Sequence, residues 1–331
     1  MFVGEEHTIQ EKTYLFWLSQ IPGIGAVTIR KLYQLFGSYR EIYQAASYNI
    51  EEIGNHADIR LRKGQWESVR KAVNRLESDK EQLEKLSERR IYFITHLDTE
   101  YPQKLLDIPD YPAALYIRGK LPSELKPSAA IVGARNCSAY GEQIAEEFAR
   151  MLSAEGVQII SGLALGIDGA AHRGAIRGGT STFCVLGCGV NICYPSAHYK
   201  LYESMLEQGG IISEFPMDTR PGAGNFPMRN RIISGMADVI LVVEAKERSG
   251  SLITAEMGLE QGKDIFAVPG RITDGLSRGC NDLIRQGAHL ASSPNDILEY
   301  LSVKCGKELI IHEKNINGLA KMEKIVYDSL D

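Results

Sequence analysis

The sequence predicts an α/β protein: a mostly parallel sheet with helices on both faces, preceded by a small all-helical domain. Three observations predict it. From Ile91 onward, short runs of apolar residues bounded by glycine and proline alternate with helical stretches, the β-α-β-α order that builds parallel sheets. Those runs are almost continuously apolar, as strands buried on both sides are. Before Ile91, amphipathic segments are joined by one compact turn, Ile21-Pro22-Gly23-Ile24-Gly25. The expected domains are residues 1–90, 91–302 and a connector with a partial segment at 303–331. A chain of 331 residues is long enough for two or three such units.

In the first block, Leu15 and Leu18 precede the turn, and Val27, Ile29, Leu32 and Leu35 follow it at helical spacing. Gly23 and Gly25 permit a tight hairpin and leave backbone N–H groups free at the start of the second helix, a place that suits phosphate. This stretch resembles the helix-hairpin-helix motif (a SAM-like arrangement) of DNA-binding proteins. Residues 1–95 nevertheless carry 14 basic against 13 acidic side chains, so no broad basic face is expected. Helical segments continue to about Arg90.

The central strands are expected at 129–133, 157–161, 181–187, 210–214, 238–245 and 264–270. Helices are expected at about 140–154, through His172, near 197–207, after the loop at 221–225, and at 252–261. Ligands of such folds sit outside the carboxyl ends of the strands, and the chemistry-bearing residues fall there. Gly133 lets a backbone approach an anion closely and Arg135 supplies charge. The glycine pattern is not a GxGxxG and no acid follows at ribose spacing, so no dinucleotide site is expected. Ser161-Gly162 closes the next strand. Asp168 and His172, four apart on one helical face, can be an acid–base pair or a structural hydrogen bond. Ser249-Gly250-Ser251 can be an anion nest or a helix cap.

The segment from Phe226 to Gly235, FPMRNRIISG, is the most informative. Between Asp218 and Asp238 lie Arg220, Arg229 and Arg231 and no acid. Cations for phosphate beside an aromatic face for a base are what single-stranded nucleic acid needs. Phe226 is thus a candidate base platform with Arg229 or Arg231 on the adjacent phosphate; the alternative is that it packs the helix start against the sheet. A net charge of −5 excludes binding through bulk charge, so any such site is a local patch. No run is long enough for a membrane span and no basic-then-apolar leader opens the chain, so a cytoplasmic protein is expected. Six cysteines, at 137, 184, 188, 193, 280 and 305, are too sparse for a disulfide framework. They are expected to be structural thiols, with no metal and no cofactor.

VGARNCSAYG, SGLALGIDGAAHRGA, CGVNICYP, FPMRNRIISG, EAKERSGSLITAE and FAVPG, in this order, resemble the DprA (Smf) family of DNA-processing proteins across residues 12–301. The resemblance implies an extended Rossmann-like core that binds single-stranded DNA, forms a homodimer, loads the recombinase RecA during natural transformation and is not an enzyme. It places the pocket arginine on Arg135 and the FPxRNR residues on Phe226, Arg229, Asn230 and Arg231. Two lysines used by some members fall near Ser196 and Ala223, so Lys200 and Arg220 are the candidate substitutes. Leu259, Ile284 and Leu290 fall on the family's dimer contacts, although their pattern alone also fits ordinary core. The alternative function is a nucleotide-acting phosphoribohydrolase on the same core, with Glu256 in RSGSLITAE standing where such enzymes have PGGxGTxxE. Many members end in a small winged-helix domain; LAKMEKIVYDSLD resembles its first helix only, which cannot bury its own apolar face.

Overall fold

A computed structural model describes residues 3–48 and 63–305. Most of the expected 303–331 segment therefore lies outside the described residues.

Among the described residues the N-terminal block contains the helices α1 (Val3–Ser19), α2 (Ala26–Phe36), α3 (Tyr39–Tyr48), α4 (Lys63–Val73) and α5 (Leu76–Glu88). Gly23 takes φ +82° in the turn between α1 and α2, a left-handed conformation that side chains with a Cβ avoid. Trp17 is fully buried and its indole N–H donates to the Ala72 carbonyl at 2.7 Å. The neighbouring Phe16 meets Phe93 edge-on at 5.2 Å, so the block shares a core with the edge of the sheet.

The chain then runs β1 (Ile91–Thr95), α6 (Gln103–Leu106), β2 (Ala114–Gly119), β3 (Ser128–Val132) and α7 (Ala139–Ala154). Next come β4 (Gln158–Ser161), α8 (Ile167–Gly178), β5 (Thr182–Val185), α9 (Tyr199–Gln208) and β6 (Gly210–Ser213). The last stretch is α10 (Asn225–Met236), β7 (Val239–Val242), α11 (Gly250–Glu260), β8 (Asp264–Ala267), α12 (Arg278–Arg285), β9 (His289–Leu290) and α13 (Pro294–Cys305).

The described strands form one sheet in the order β1-β2-β6-β5-β4-β3-β7-β8-β9. Only the β1–β2 and β2–β6 pairs are antiparallel; the rest are parallel. The continuous apolar runs divide between the two faces by alternation. Ala130, Val132, Ile240 and Val242 enter one core cluster, while Ala129, Ile131, Val239 and Leu241 enter the other, as the two-residue period of a strand demands. This is the α/β architecture expected from the sequence.

The order also locates the site. From β3 the chain builds outward through β4, β5 and β6, then returns to the opposite side of β3 with β7. The loops leaving β3 and β7 therefore diverge and open a crevice at the carboxyl edge, the switch point where such sheets bind ligands.

Candidate nucleic-acid interface

A cleft of about 450 Å³ fills that crevice. Its lining includes Gly133 and Arg135 after β3, Ala164 and Asp168 after β4, Ser249 and Ser251 after β7, and Phe226, Arg229 and Asn230 from α10. Arg135 is exposed at the mouth, and its guanidinium lies over the Phe226 ring, 4.9 Å from the centroid. Gly166, at φ +74°, lets the loop after β4 pass against the backbone of Ala134 and Arg135, where any Cβ would collide with their carbonyl groups. The two loops brace each other and hold Arg135 at the rim.

The helices that follow β3, β4 and β7 at this edge differ in what their N-termini face. At α7, Ser138 caps the helix by accepting from the Gly141 N–H. Glu244, buried at the end of β7, accepts from the Ser138 N–H at 2.8 Å and its hydroxyl at 2.6 Å. A Cβ on Gly141 would overlap the Glu244 carboxylate. The place where a dinucleotide fold holds pyrophosphate is thus occupied by the chain's own anion. At the loop into α8, Asp168 Oδ2 accepts from the Gly162 and Ala164 N–H groups at 3.2 and 3.4 Å. At α11 the cap is a neutral hydroxyl: Ser249 Oγ accepts from the Ser251 N–H. This third N-terminus, positive by its dipole, lines the cleft across from β3 and its Arg135.

Within α10 the sequence motif splits by helical geometry. Residues two apart on a helix project roughly 200° apart, so Arg229 and Arg231 cannot serve one cleft. Arg229 points under the floor, almost fully buried, and donates from Nη1 to the Gly162 carbonyl at 2.8 Å and to the Val185 carbonyl. Gly162 has no room for a side chain because a Cβ there would overlap that guanidinium. Arg229 therefore ties the ends of β4 and β5 and lends charge to the floor. Arg231 turns to the other side, where Nη2 meets both carboxylate oxygens of Glu214 at 2.8 Å and Nε meets Asp110 at 3.0 Å. The expectation that Arg231 holds a phosphate beside Phe226 is corrected: its donors are spent on carboxylates outside the cleft. Asn230 accepts from Arg229 Nε at 3.2 Å and donates to the Gly250 carbonyl at 3.3 Å, joining α10 to the start of α11.

Asp168 and His172 share a helix without pairing. Beyond its two backbone donors, burial raises the Asp168 pKa, opposed first by the charge of Arg229. Thr182 Oγ1 donates to the Ile159 carbonyl, so it accepts from His172 Nδ1 at 2.7 Å. His172 Nε2 is then a bare acceptor, buried with no hydrogen-bond partner. Desolvation lowers the His172 pKa to about 3. Neither the acid–base pair nor the i,i+4 hydrogen bond considered from the sequence is formed.

The remaining expected residues scatter. Ser161 is fully buried, its hydroxyl donating to the Ile131 carbonyl at 2.6 Å. Lys200 on α9 and Arg220 in the loop before α10 are exposed and do not line the cleft, whereas Ala223 does. Glu256 is exposed on α11 and is not among the cleft residues. Leu259 and Leu290 are 57% and 49% exposed, and Ile284 is half-buried against the core at the same end of the sheet. The thiols of Cys188 and Cys193 donate to the Ile192 and Pro195 carbonyls, and burial pushes Cys188 up to about 11. Among the described residues no helix is long and apolar enough to cross a membrane.

One aromatic escaped the sequence reading. Tyr194, in the loop after β5, stacks on Phe226 with centroids 5.8 Å apart and 27° between planes, and is 43% exposed. Its signal was present as the CYP at the end of CGVNICYP, but nothing in one dimension brings residue 194 beside 226.

Residues 92–302 match the family described as DNA recombination-mediator protein A. Over 202 residues, 61% of the chain, the sequence is 50% identical to Protein Smf of Escherichia coli (strain K12); the match spans about half (54%) of that relative's length. Among solved structures, DNA processing protein A (DprA) from Streptococcus pneumoniae aligns at a TM-score of 0.61 and 35% identity, covering 82% of this chain and 98% of that one. DNA processing protein A from Helicobacter pylori, whose structure was described for its single-stranded DNA binding mode, aligns at 0.58 and 27%, covering 65% and 97%.

Proposed function

The chain belongs to the DNA recombination-mediator protein A family, and from that premise we propose that it binds single-stranded DNA in the cleft at the switch point. The observation that carries this reading is the contrast among the helix starts after β3, β4 and β7. Two loops at this edge are filled by the chain's own carboxylates, Glu244 and Asp168. The third, at Ser249-Gly250-Ser251, opens into the cleft with exposed Arg135 on the other wall. A phosphate between them meets a dipole, two hydroxyls and a guanidinium, with the Arg229 charge beneath. The phenyl and phenol rings of Phe226 and Tyr194 stand beside that position for a base. Gly133, Ser161, Gly162 and Asn230 shape this site without donating charge, and Lys200 and Arg220 extend the path of the strand outside it.

In this reading the protein is a non-enzymatic recombination mediator in the cytoplasm that covers incoming strands and passes them to RecA. It works as a homodimer through the surface of Leu259, Ile284 and Leu290. The phosphoribohydrolase alternative has less support, because Glu256 stands outside the cleft lining. Salt-titrated binding to a single-stranded oligonucleotide tests the proposal. Arg135→Ala is expected to weaken binding and lower the salt slope by roughly one contact. Unchanged affinity and slope in a folded Arg135→Ala protein removes Arg135 from the site.

A further inference from the structure

The buried apolar run of β7 and Val243 leads directly into Glu244, a carboxylate only 3% exposed. An ionised group in such a place is costly unless its oxygens are satisfied. The backbone of Glu244 is pinned, its carbonyl accepting from the Ala134 N–H at 2.8 Å. Its side chain turns to the start of α7, where one oxygen accepts from the Ser138 N–H and the other from the Ser138 hydroxyl. Helix capping does not call for this, because Ser138 Oγ already accepts from the Gly141 N–H at 3.0 Å, and a neutral serine is a sufficient cap. What the glutamate adds is a full negative charge and the bulk to fill the seat. A Cβ on Gly141 would lie 2.3–2.8 Å from the carboxylate atoms, so the seat holds that carboxylate and nothing beside it.

We propose that Glu244 is a specificity residue: it shuts the anion seat at the start of α7 against free phosphate and nucleoside diphosphates. Phosphate is then admitted only at the neighbouring Ser249–Ser251 turn. The seat follows β3, the strand at which the sheet order reverses, where folds of this class hold the phosphates of nucleotides. An incoming phosphate meets two obstacles there. The Ser138 donors are engaged, and a unit negative charge about 4 Å from the carboxylate, at an effective dielectric of about 20, is disfavoured roughly 10³-fold. At the start of α11 the cap is the neutral Ser249 hydroxyl, and Arg135 lines the same cleft, so the same phosphate is drawn to that side. The result is a choice of ligand. A nucleoside diphosphate finds no seat for its paired charges, whereas a single strand spreads its charge one phosphate per nucleotide and needs only the open turn. The inference deepens the single-strand reading above by naming the group that keeps free nucleotides out of the same core, and its test contains no DNA.

The test follows the melting temperatures of the wild type and of Glu244 variants in sodium phosphate, in ADP, and in sodium chloride of equal ionic strength. Glu244→Ala vacates the seat. For a Kd near 1 mM, about 10 mM phosphate should raise its melting temperature roughly 3–6 °C beyond any rise in the wild type. Glu244→Ser vacates the same seat and leaves a small hydroxyl beside Ser138, so it gives the same reading if the alanine protein does not fold. Adding Gly141→Ala to either variant puts a methyl group where the carboxylate lay, and should cancel the gain. The inference is overturned if a folded Glu244→Ala or Glu244→Ser protein responds to phosphate no more than the wild type does. It is also overturned if Gly141→Ala leaves the gain in place. A wild type that takes up ADP with a Kd below about 100 μM, about −5.5 kcal/mol, sinks it without any variant. Failure of the wild type to bind a dT oligonucleotide defeats the single-strand reading instead, and is distinct from all of these outcomes.

Discussion

In an Arg229→Ala protein the carbonyl groups of Gly162 and Val185 lose their common donor, and buried Asp168 loses the charge that does most to offset its desolvation. Each hydrogen bond to a charged donor is worth about 1.5–3 kcal/mol, and removing one partner of a buried charge pair costs about 3–5 kcal/mol. The cleft is open above, so water can enter and recover part of the sum; a net loss of about 3–5 kcal/mol is expected. At roughly 2–4 °C per kcal/mol for a unit of this size, the melting temperature should fall by roughly 6–20 °C. Thermal and urea unfolding followed by circular dichroism measure it. Because much of the penalty is an uncompensated carboxylate, adding Asp168→Asn should restore part of the loss, with a coupling of about 1–3 kcal/mol. The reasoning is refuted if Arg229→Ala melts within ~2 °C of the wild type while its affinity for single strands collapses. That result would make Arg229 a surface ligand, not a tie between strand ends.

Two further outcomes are expected. His172, ordinarily near 6.5 and lowered by burial to about 3, binds more protons unfolded than folded. Its contribution is complete above pH 6.5 and is lost as pH falls toward 3, so going from pH 7.5 to 5 should cost about 2 kcal/mol. His172→Gln should flatten that part of the profile in urea unfolding, and an unchanged slope counts against it. Ile284→Lys should convert dimers to monomers in light scattering and weaken DNA binding, since two linked sites hold one strand more tightly than one. A wild type that is monomeric at high micromolar concentration would sink that assembly.

Much of this protein is determined by its sequence because the signals are local. Parallel strands such as Ser128–Val132 and Val239–Val242 are almost continuously apolar, and strands buried on both faces leave little other choice. The glycine-rich ends of β3 and β4, and the FPMRNR helix start, likewise announced a site at the carboxyl edge. The outer antiparallel strands Ile91–Thr95 and Ala114–Gly119 were not among the expected strands, and Ile91–Thr95 lacks the fully buried run of the parallel strands. Which arginine faces the cleft was decided only by the tertiary structure. Arg229 and Arg231 have the same chemistry, and the opposed directions of a helix sent one beneath the strand ends and the other to Glu214 and Asp110. The self-filled helix start at Glu244 and the stacking of Tyr194 on Phe226 join residues 106 and 32 positions apart. Long-range contacts of that kind leave no periodicity or spacing to read; the packing of loops around the switch point alone creates them.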